Sequence, residues 1–175
     1  QYNGHYYAAS MAYDTVMLFW NKILFSKAGL THAPTTWSEW QADAVKLTIH
    51  ANGVDQYGIA LGDNNTVPNW QIFIWDNGGE ILSPNGKKAV VDSPQAVAAV
   101  AQWATLVRKN RISPPGLAGA DADKLFQSGK AAMEMTGPWA TTGYTQAGIN
   151  YGVAPIPKGP GGPATDANAS IMVLS

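Results

Sequence analysis

The sequence contains no cysteine. That removes disulfide staples, thiolate nucleophiles and cysteine-based zinc sites together. It has three histidines, His5, His32 and His50, too far apart for metal-ligand spacing. Charge is scarce as well: 13% of the 175 residues are charged, the formal net charge is −1, and Lys and Arg are scattered. Nucleic acid or an anionic membrane surface would want clustered positive charge, so neither is expected as a partner. No apolar run approaches the roughly 18 residues of a spanning helix, and no signal peptide is visible. No metal and no cofactor is expected.

What is present is apolar and aromatic. With 46% hydrophobic residues the chain can bury a sizeable core, and its length suits one domain. Seven Trp and seven Tyr stand against four Phe. Aromatics with a polar handle are favoured over Phe where one side of the ring stays wet. The opening QYNGHYY reads as the interior of a longer protein.

Periodicity predicts an α/β domain of alternating helices and short strands. Helices are expected near residues 16–28, 36–52, 68–77, 93–110 and 121–128. The first follows Leu18, Ile23 and Leu24 through Met11–Lys27 to Ala28-Gly29. The second opens on a capping box, Thr36 to Glu39, with Trp37, Trp40, Ala44 and Leu47 on one face, and ends by Asn52-Gly53. The fourth is the clearest, with Ser93 as cap, Pro94 in the first turn and Arg108-Lys109 at its negative end. Short strands are expected at Tyr57–Leu61, Ala131–Thr136 and Tyr151–Ala154, with a small hairpin around Pro84-Asn85-Gly86. PIPKGPGGP, Pro155–Pro163, reads as a loop.

Catalytic motifs are sparse. Ser128-Gly129-Lys130-Ala131 resembles the tail of a phosphate loop, but Lys124 stands where the earlier glycine belongs and Ala131 lacks the magnesium-binding hydroxyl. No G-x-S-x-G elbow occurs. Paired carboxylates for glycoside hydrolysis have no linear spacing, so an enzyme reading stays open. Most acids have structural roles: Glu39 caps a helix, Asp92 precedes one, and Asp121 and Asp123 open another. Asp14 stands apart, between Tyr13 and Thr15 in an apolar stretch.

The tryptophans divide. Trp20, Trp37, Trp40 and Trp103 fall within apolar helical patterns and are expected in the core. Trp70, Trp75 and Trp139 each sit at a breakpoint rich in Pro, Gly or Asn. In EMTGPWATTGY, Glu134–Tyr144, a strand stops at Gly137-Pro138 and a tryptophan follows at once. Either that indole folds back into the core, or a ligand lies against it. A pyranose ring, with a flat C–H face and rim hydroxyls, suits an aromatic pocket with a few polar groups.

Four stretches, in order, then resemble one family. The first is Met11-Ala12-Tyr13-Asp14-Thr15 with Phe19-Trp20-Asn21-Lys22-Ile23-Leu24-Phe25. The second is Ala28-Gly29-Leu30 with Pro34-Thr35-Thr36-Trp37-Ser38-Glu39-Trp40. The third is Trp75-Asp76-Asn77-Gly78-Gly79 followed by Asp92-Ser93-Pro94-Gln95-Ala96. The fourth runs Leu125-Phe126-Gln127-Ser128-Gly129-Lys130-Ala131-Ala132-Met133, Gly137-Pro138-Trp139, and Tyr151-Gly152-Val153-Ala154-Pro155-Ile156-Pro157. Together they resemble the extracellular solute-binding proteins of bacterial ABC importers, the maltose-binding-protein-like sugar-binding family.

The resemblance implies a type II periplasmic-binding-protein-like lobe, with layered helices around a small mixed sheet. It implies a non-catalytic receptor for a mono- or oligosaccharide, working outside the cytoplasm with ABC permease subunits, as a lipoprotein at full length. It assigns Trp139 to the sugar, Asp14 to sugar hydroxyls with Tyr13 beside it, and Asn69, Trp70 and Trp75 to further contacts. Members have two lobes, and this chain matches the C-terminal one. Residues 1–14 are then a crossover segment, 15–164 the lobe, and 165–175 the return crossover. The end segments are expected to be disordered or paired with a neighbouring copy through their free strand edges. The alternatives are a receptor for a non-sugar solute, such as a polyamine or an iron complex, and a carbohydrate-active enzyme fragment.

Overall fold

The computed structural model describes residues 4–5, 7–51, 53–64 and 69–173. At its centre is a three-stranded antiparallel sheet, in the order β5 (Met133–Thr136), β2 (Met17–Asn21), β6 (Tyr151–Ala154). Beyond β5, Tyr57 and Ala60 form parallel bridges to Ala131 and Glu134, so the sheet is mixed as expected. The expected strand at Tyr57–Leu61 is reduced to these two bridges.

The helix expected at 16–28 is strand in its first half. Met17–Asn21 is the middle strand, with Leu18 and Phe19 buried on its two faces. A short apolar run covered on both sides fits a central strand as well as a helix, and tertiary pairing decides. Helix α1 is only Lys22–Lys27, capped by the Asn21 side chain, which accepts from the Ile23 and Leu24 N–H groups at 3.0 and 3.1 Å.

Helix α2 (Trp37–Lys46) starts where the capping box puts it, with Thr36 Oγ1 accepting from Glu39 N–H. The Glu39 carboxylate reaches one residue further back, to the N–H of Thr35 at 2.7 Å. The helix stops at Lys46 rather than at 52. Thr48 donates its hydroxyl to Ala44 O at 2.7 Å and takes the N–H of Gly58, tying the chain down before β3 (Ile49–Ala51) turns into β4 (Val54–Gln56). A β-branched Thr and Ile beside a Gly in left-handed conformation favour that hairpin over another helical turn.

Helix α3 (Asn69–Asp76) and helix α4 (Pro94–Arg108) pack on each other. The expected start of α3 at Pro68 lies outside the described residues. Ser93 caps α4 as its sequence requires. The Pro84-Asn85-Gly86 hairpin is present as a single Leu82–Ala89 bridge. Helix α5 (Gly119–Gln127) leads into β5, and α6 (Thr141–Gln146) follows the tryptophan turn. Among the described residues, no helix is long and apolar enough to cross a membrane.

The larger core cluster gathers Trp37, Trp40, Phe73 and Trp103 between α2, α3 and α4, with Phe73 central to all three indoles at 4.6–5.2 Å. Trp20 packs against this core and the Phe25 ring. Thus all four tryptophans expected inside are inside or against it.

The two end segments correct one expectation. β1 (Ala8–Thr15) pairs antiparallel with β7 (Ala167–Val173), from Ala8 opposite Val173 to Thr15 opposite Ala167, with a bulge at Met11. Over these residues the two segments satisfy each other along one edge instead of being disordered; residues 1–3, 6 and 174–175 of the two ends lie outside the described residues. Backbone groups on two adjacent extended segments close on each other first, because that contact needs no second molecule.

Candidate functional site

Strand β5, MEMT, is buried along its whole length. Met133 and Met135 face the main core, while Glu134 and Thr136 face the other way, towards α5 and α6. There the Tyr144 hydroxyl donates to Glu134, and the Thr136 hydroxyl donates to Asp123 at 3.2 Å. Tyr144 also reaches Asp123 at 3.4 Å. Burial, and then the Asp123 carboxyl beside it, push the Glu134 carboxyl well above the usual range. Burial and Glu134 push the Tyr144 phenol upward too. Phe19, Phe126 and Tyr151 pack around the Tyr144 ring at 4.8–5.8 Å and hold it in place.

At the end of β5 the chain turns through Gly137 into a single 3-10 turn, Pro138–Ala140, closed by the Thr141 hydroxyl on Pro138 O. Trp139 is 47% exposed. Its six-membered ring lies back over Gly137, where a Cβ would collide with the indole. The absence of a side chain at 137 is therefore what lets the ring lie down as a fixed plate.

Two cavities border this turn. One, of about 150 Å3, has Trp139 on its wall and Asp123, Glu134 and Thr136 on its floor, with Asn69 and the start of α5 at its side. Asn69 is 3% exposed and anchored through its amide N–H on Met135 O at 3.1 Å. The other, of about 340 Å3, is walled by Tyr13, Asp14, Phe19, Pro138 and Thr141. Tyr13 is exposed, and Asp14 stands opposite Asn168 on the two-stranded ribbon.

The model of the family described as bacterial extracellular solute-binding protein matches residues 2–175. The chain belongs to this family. It is 32% identical over 167 residues to a binding protein of Brucella abortus, covering 91% of this chain and 40% of that one. It is 31% identical to the galactooligosaccharide-binding protein of Bacillus subtilis, covering 87% and 36%. Maltose-bound MalE3 of T. maritima superposes with a TM-score of 0.79 at 31% identity, over 97% of this chain and 45% of that one. The chain thus spans less than half the length of these solute-binding relatives, and the type II fold expected from its motifs is the fold it has.

Of the residues singled out by the family motifs, the structure brings Trp139 and Asn69 to one cavity, and Tyr13 and Asp14 to its neighbour. Trp70 is part-exposed on α3 and lines neither. Trp75 packs against the main core. Sequence reasoning missed Asp123, Glu134 and Tyr144. Asp121 does sit in the first turn of α5, paired with Lys124, but Asp123 turns inward instead of serving the helix start. The available signal was polar alternation, Glu134 and Thr136, in a strand flanked by apolar sequence.

Proposed function

We propose that this chain is the C-terminal lobe of a sugar receptor serving an ABC importer, with residues 15–164 as the lobe and the β1–β7 ribbon as the crossover to a second lobe. The observation that carries this reading is Trp139: a half-exposed indole, held flat over Gly137, at the wall of a polar-floored cavity. An indole face stacks on the C–H face of a sugar while neighbouring polar groups take its hydroxyls. The names of relatives that carry maltose or galactooligosaccharides support the same class of ligand. Asp14 and Tyr13, on the ribbon, are proposed as contacts contributed where two lobes meet. In that setting the lobes close on the ligand by hinge motion and present it to permease subunits outside the cytoplasm.

The role is non-catalytic on this reading. Glycosidases hold two carboxyls apart, on opposite sides of the scissile bond. Here Glu134 is buried against Asp123 and Tyr144, which makes one hydrogen-bonded unit on one side of the cavity.

The test is a thermal-shift screen of the full-length protein against neutral mono- and disaccharides. A ligand that binds the native state raises the melting temperature by mass action. A raised midpoint for at least one sugar, lost in Trp139→Ala, supports the reading; no shift across the panel rejects it.

A further inference from the structure

We propose that Asp123, Glu134 and Tyr144 hold one proton between the two carboxyls, that this proton locks α6 and the Trp139 turn onto β5, and that the lock opens as pH rises. The proposal goes beyond the receptor reading and does not depend on it.

Hydrogens are short in this corner. The Tyr144 hydroxyl brings one and donates it to Glu134, yet the same oxygen also lies 3.4 Å from Asp123 Oδ1. A phenol with one hydrogen cannot donate to two carboxylates. The Thr136 hydroxyl supplies a second hydrogen, to that same Asp123 oxygen at 3.2 Å. The remaining contact closes only when one carboxyl carries a proton of its own. Two carboxyls gathered on one phenol in a buried corner do not both ionise, and a single proton shared between them resolves the conflict. Glu134 is the buried member, while Asp123 borders the cavity, so the proton sits on Glu134 and the charge on Asp123. Burial and the Asp123 carboxyl both push Glu134 upward, in the same direction.

Among the described residues, the neighbouring elements bring no cation to the pair. Across β5 stand Phe19 of β2 and Ala60. On α5, Lys124 pairs with Asp121 at the surface. Tyr151 of β6 turns its hydroxyl to Thr145. No Lys or Arg lines the cavity.

Tyr144 is the buried side chain of α6, and α6 follows directly on the 3-10 turn that carries Trp139. A six-residue helix without a side-chain cap has little stability of its own, so what holds Tyr144 holds the turn. Losing the proton sets a second negative charge beside Asp123 and drives the corner apart. The folded state holds this proton more tightly than the unfolded chain does. The lock's contribution is therefore full below the ordinary glutamate value and is lost as pH rises through the raised one.

The test compares the full-length wild type with Glu134→Gln, which keeps a neutral hydrogen-bonding side chain at every pH. Both proteins retain Asp76, so its titration cancels. Urea melts from pH 5 to 8.5 should agree at the acid end. The wild type should then lose stability relative to the variant, by up to about tenfold in the folding equilibrium per pH unit. Amide hydrogen exchange locates the effect. Residues 139–146 should exchange alike in the two proteins at pH 5, and on the order of tenfold faster in the wild type at pH 8.5. Parallel stability profiles, or equal exchange of 139–146 at pH 8.5, overturn the proposal. If Glu134→Gln does not fold, Asp123→Asn takes its place: removing the neighbouring charge should make the stability slope shallower than in the wild type, and an unchanged slope overturns the proposal.

Discussion

Trp40 and Trp139 are the same residue in two settings, and almost everything about them differs. Trp40 is fully buried on the inner face of α2, edge-on to Phe73, inside the cluster that holds α2, α3 and α4 together. Trp139 is half exposed on a 3-10 turn, lying over a glycine and walling a cavity floored by acids. A ring surrounded on all sides contributes its burial to stability, whereas a ring with one open face leaves that face to the ligand proposed above. The two regions are therefore expected to respond differently to mutation, the one in stability and the other in affinity.

Truncating the core ring is expected to have the largest effect. Trp40→Ala should lose about 3–5 kcal/mol of stability in a urea melt, by lost burial and the cavity left behind. A loss under 1 kcal/mol would mean the core is not organised around α2.

Asp76 belongs to the same core region and adds a pH dependence. It is 1% exposed, accepts from Trp37 Nε1 at 3.2 Å and from Ala164 N–H at 2.6 Å, and so pins the loop before β7 to the end of α3. Burial raises its carboxyl to about 6. The folded state then holds this proton more tightly than the unfolded chain does. The contribution is full below the unfolded value and is lost as pH rises through about 6. Stability should fall between roughly pH 4 and 6, by on the order of 3 kcal/mol at most. Asp76→Asn should flatten that slope in melts recorded across the range; an identical slope in the mutant would remove Asp76 from the account.

In the other region the readout changes. Trp139→Ala is expected to cost about 2 kcal/mol of sugar affinity, roughly thirtyfold, while stability shifts by less than about 1 kcal/mol. If stability collapses and the remaining folded protein binds sugar normally, Trp139 belongs with Trp40 and the contrast is broken. The smallest change sharpens the comparison most. Gly137→Ala keeps the indole but puts a methyl where the ring lies. Displacing the plate should weaken sugar binding by about tenfold with little loss of stability. Unaltered affinity would show that the flat seat of Trp139 is irrelevant to the ligand.

Much of this was legible in the chain. Ser93-Pro94 and the Thr36–Glu39 box determine where two helices begin, because the cap side chains satisfy free N–H groups two or three residues on. The tryptophan after Gly137-Pro138 was legible as standing on a turn, but whether its ring folded inward or stayed open was left undecided by the residues themselves. The family motifs pointed to the fold and to Trp139. Other features needed the tertiary structure. The run read as the start of a helix over 16–28 is strand at Met17–Asn21, because pairing with β5 and β6 overrides the local pattern. Trp75 and Trp139 both sit at breakpoints, yet α3 turns one into the core and the 3-10 turn leaves the other at a cavity. Asp123, Glu134 and Tyr144 are separated along the chain and meet because α5, β5 and α6 fold onto one another. Local capping and turn chemistry act within a few residues and are written in the sequence. Which polar side chains share one buried corner depends on long-range packing, and that is decided only when the layers close.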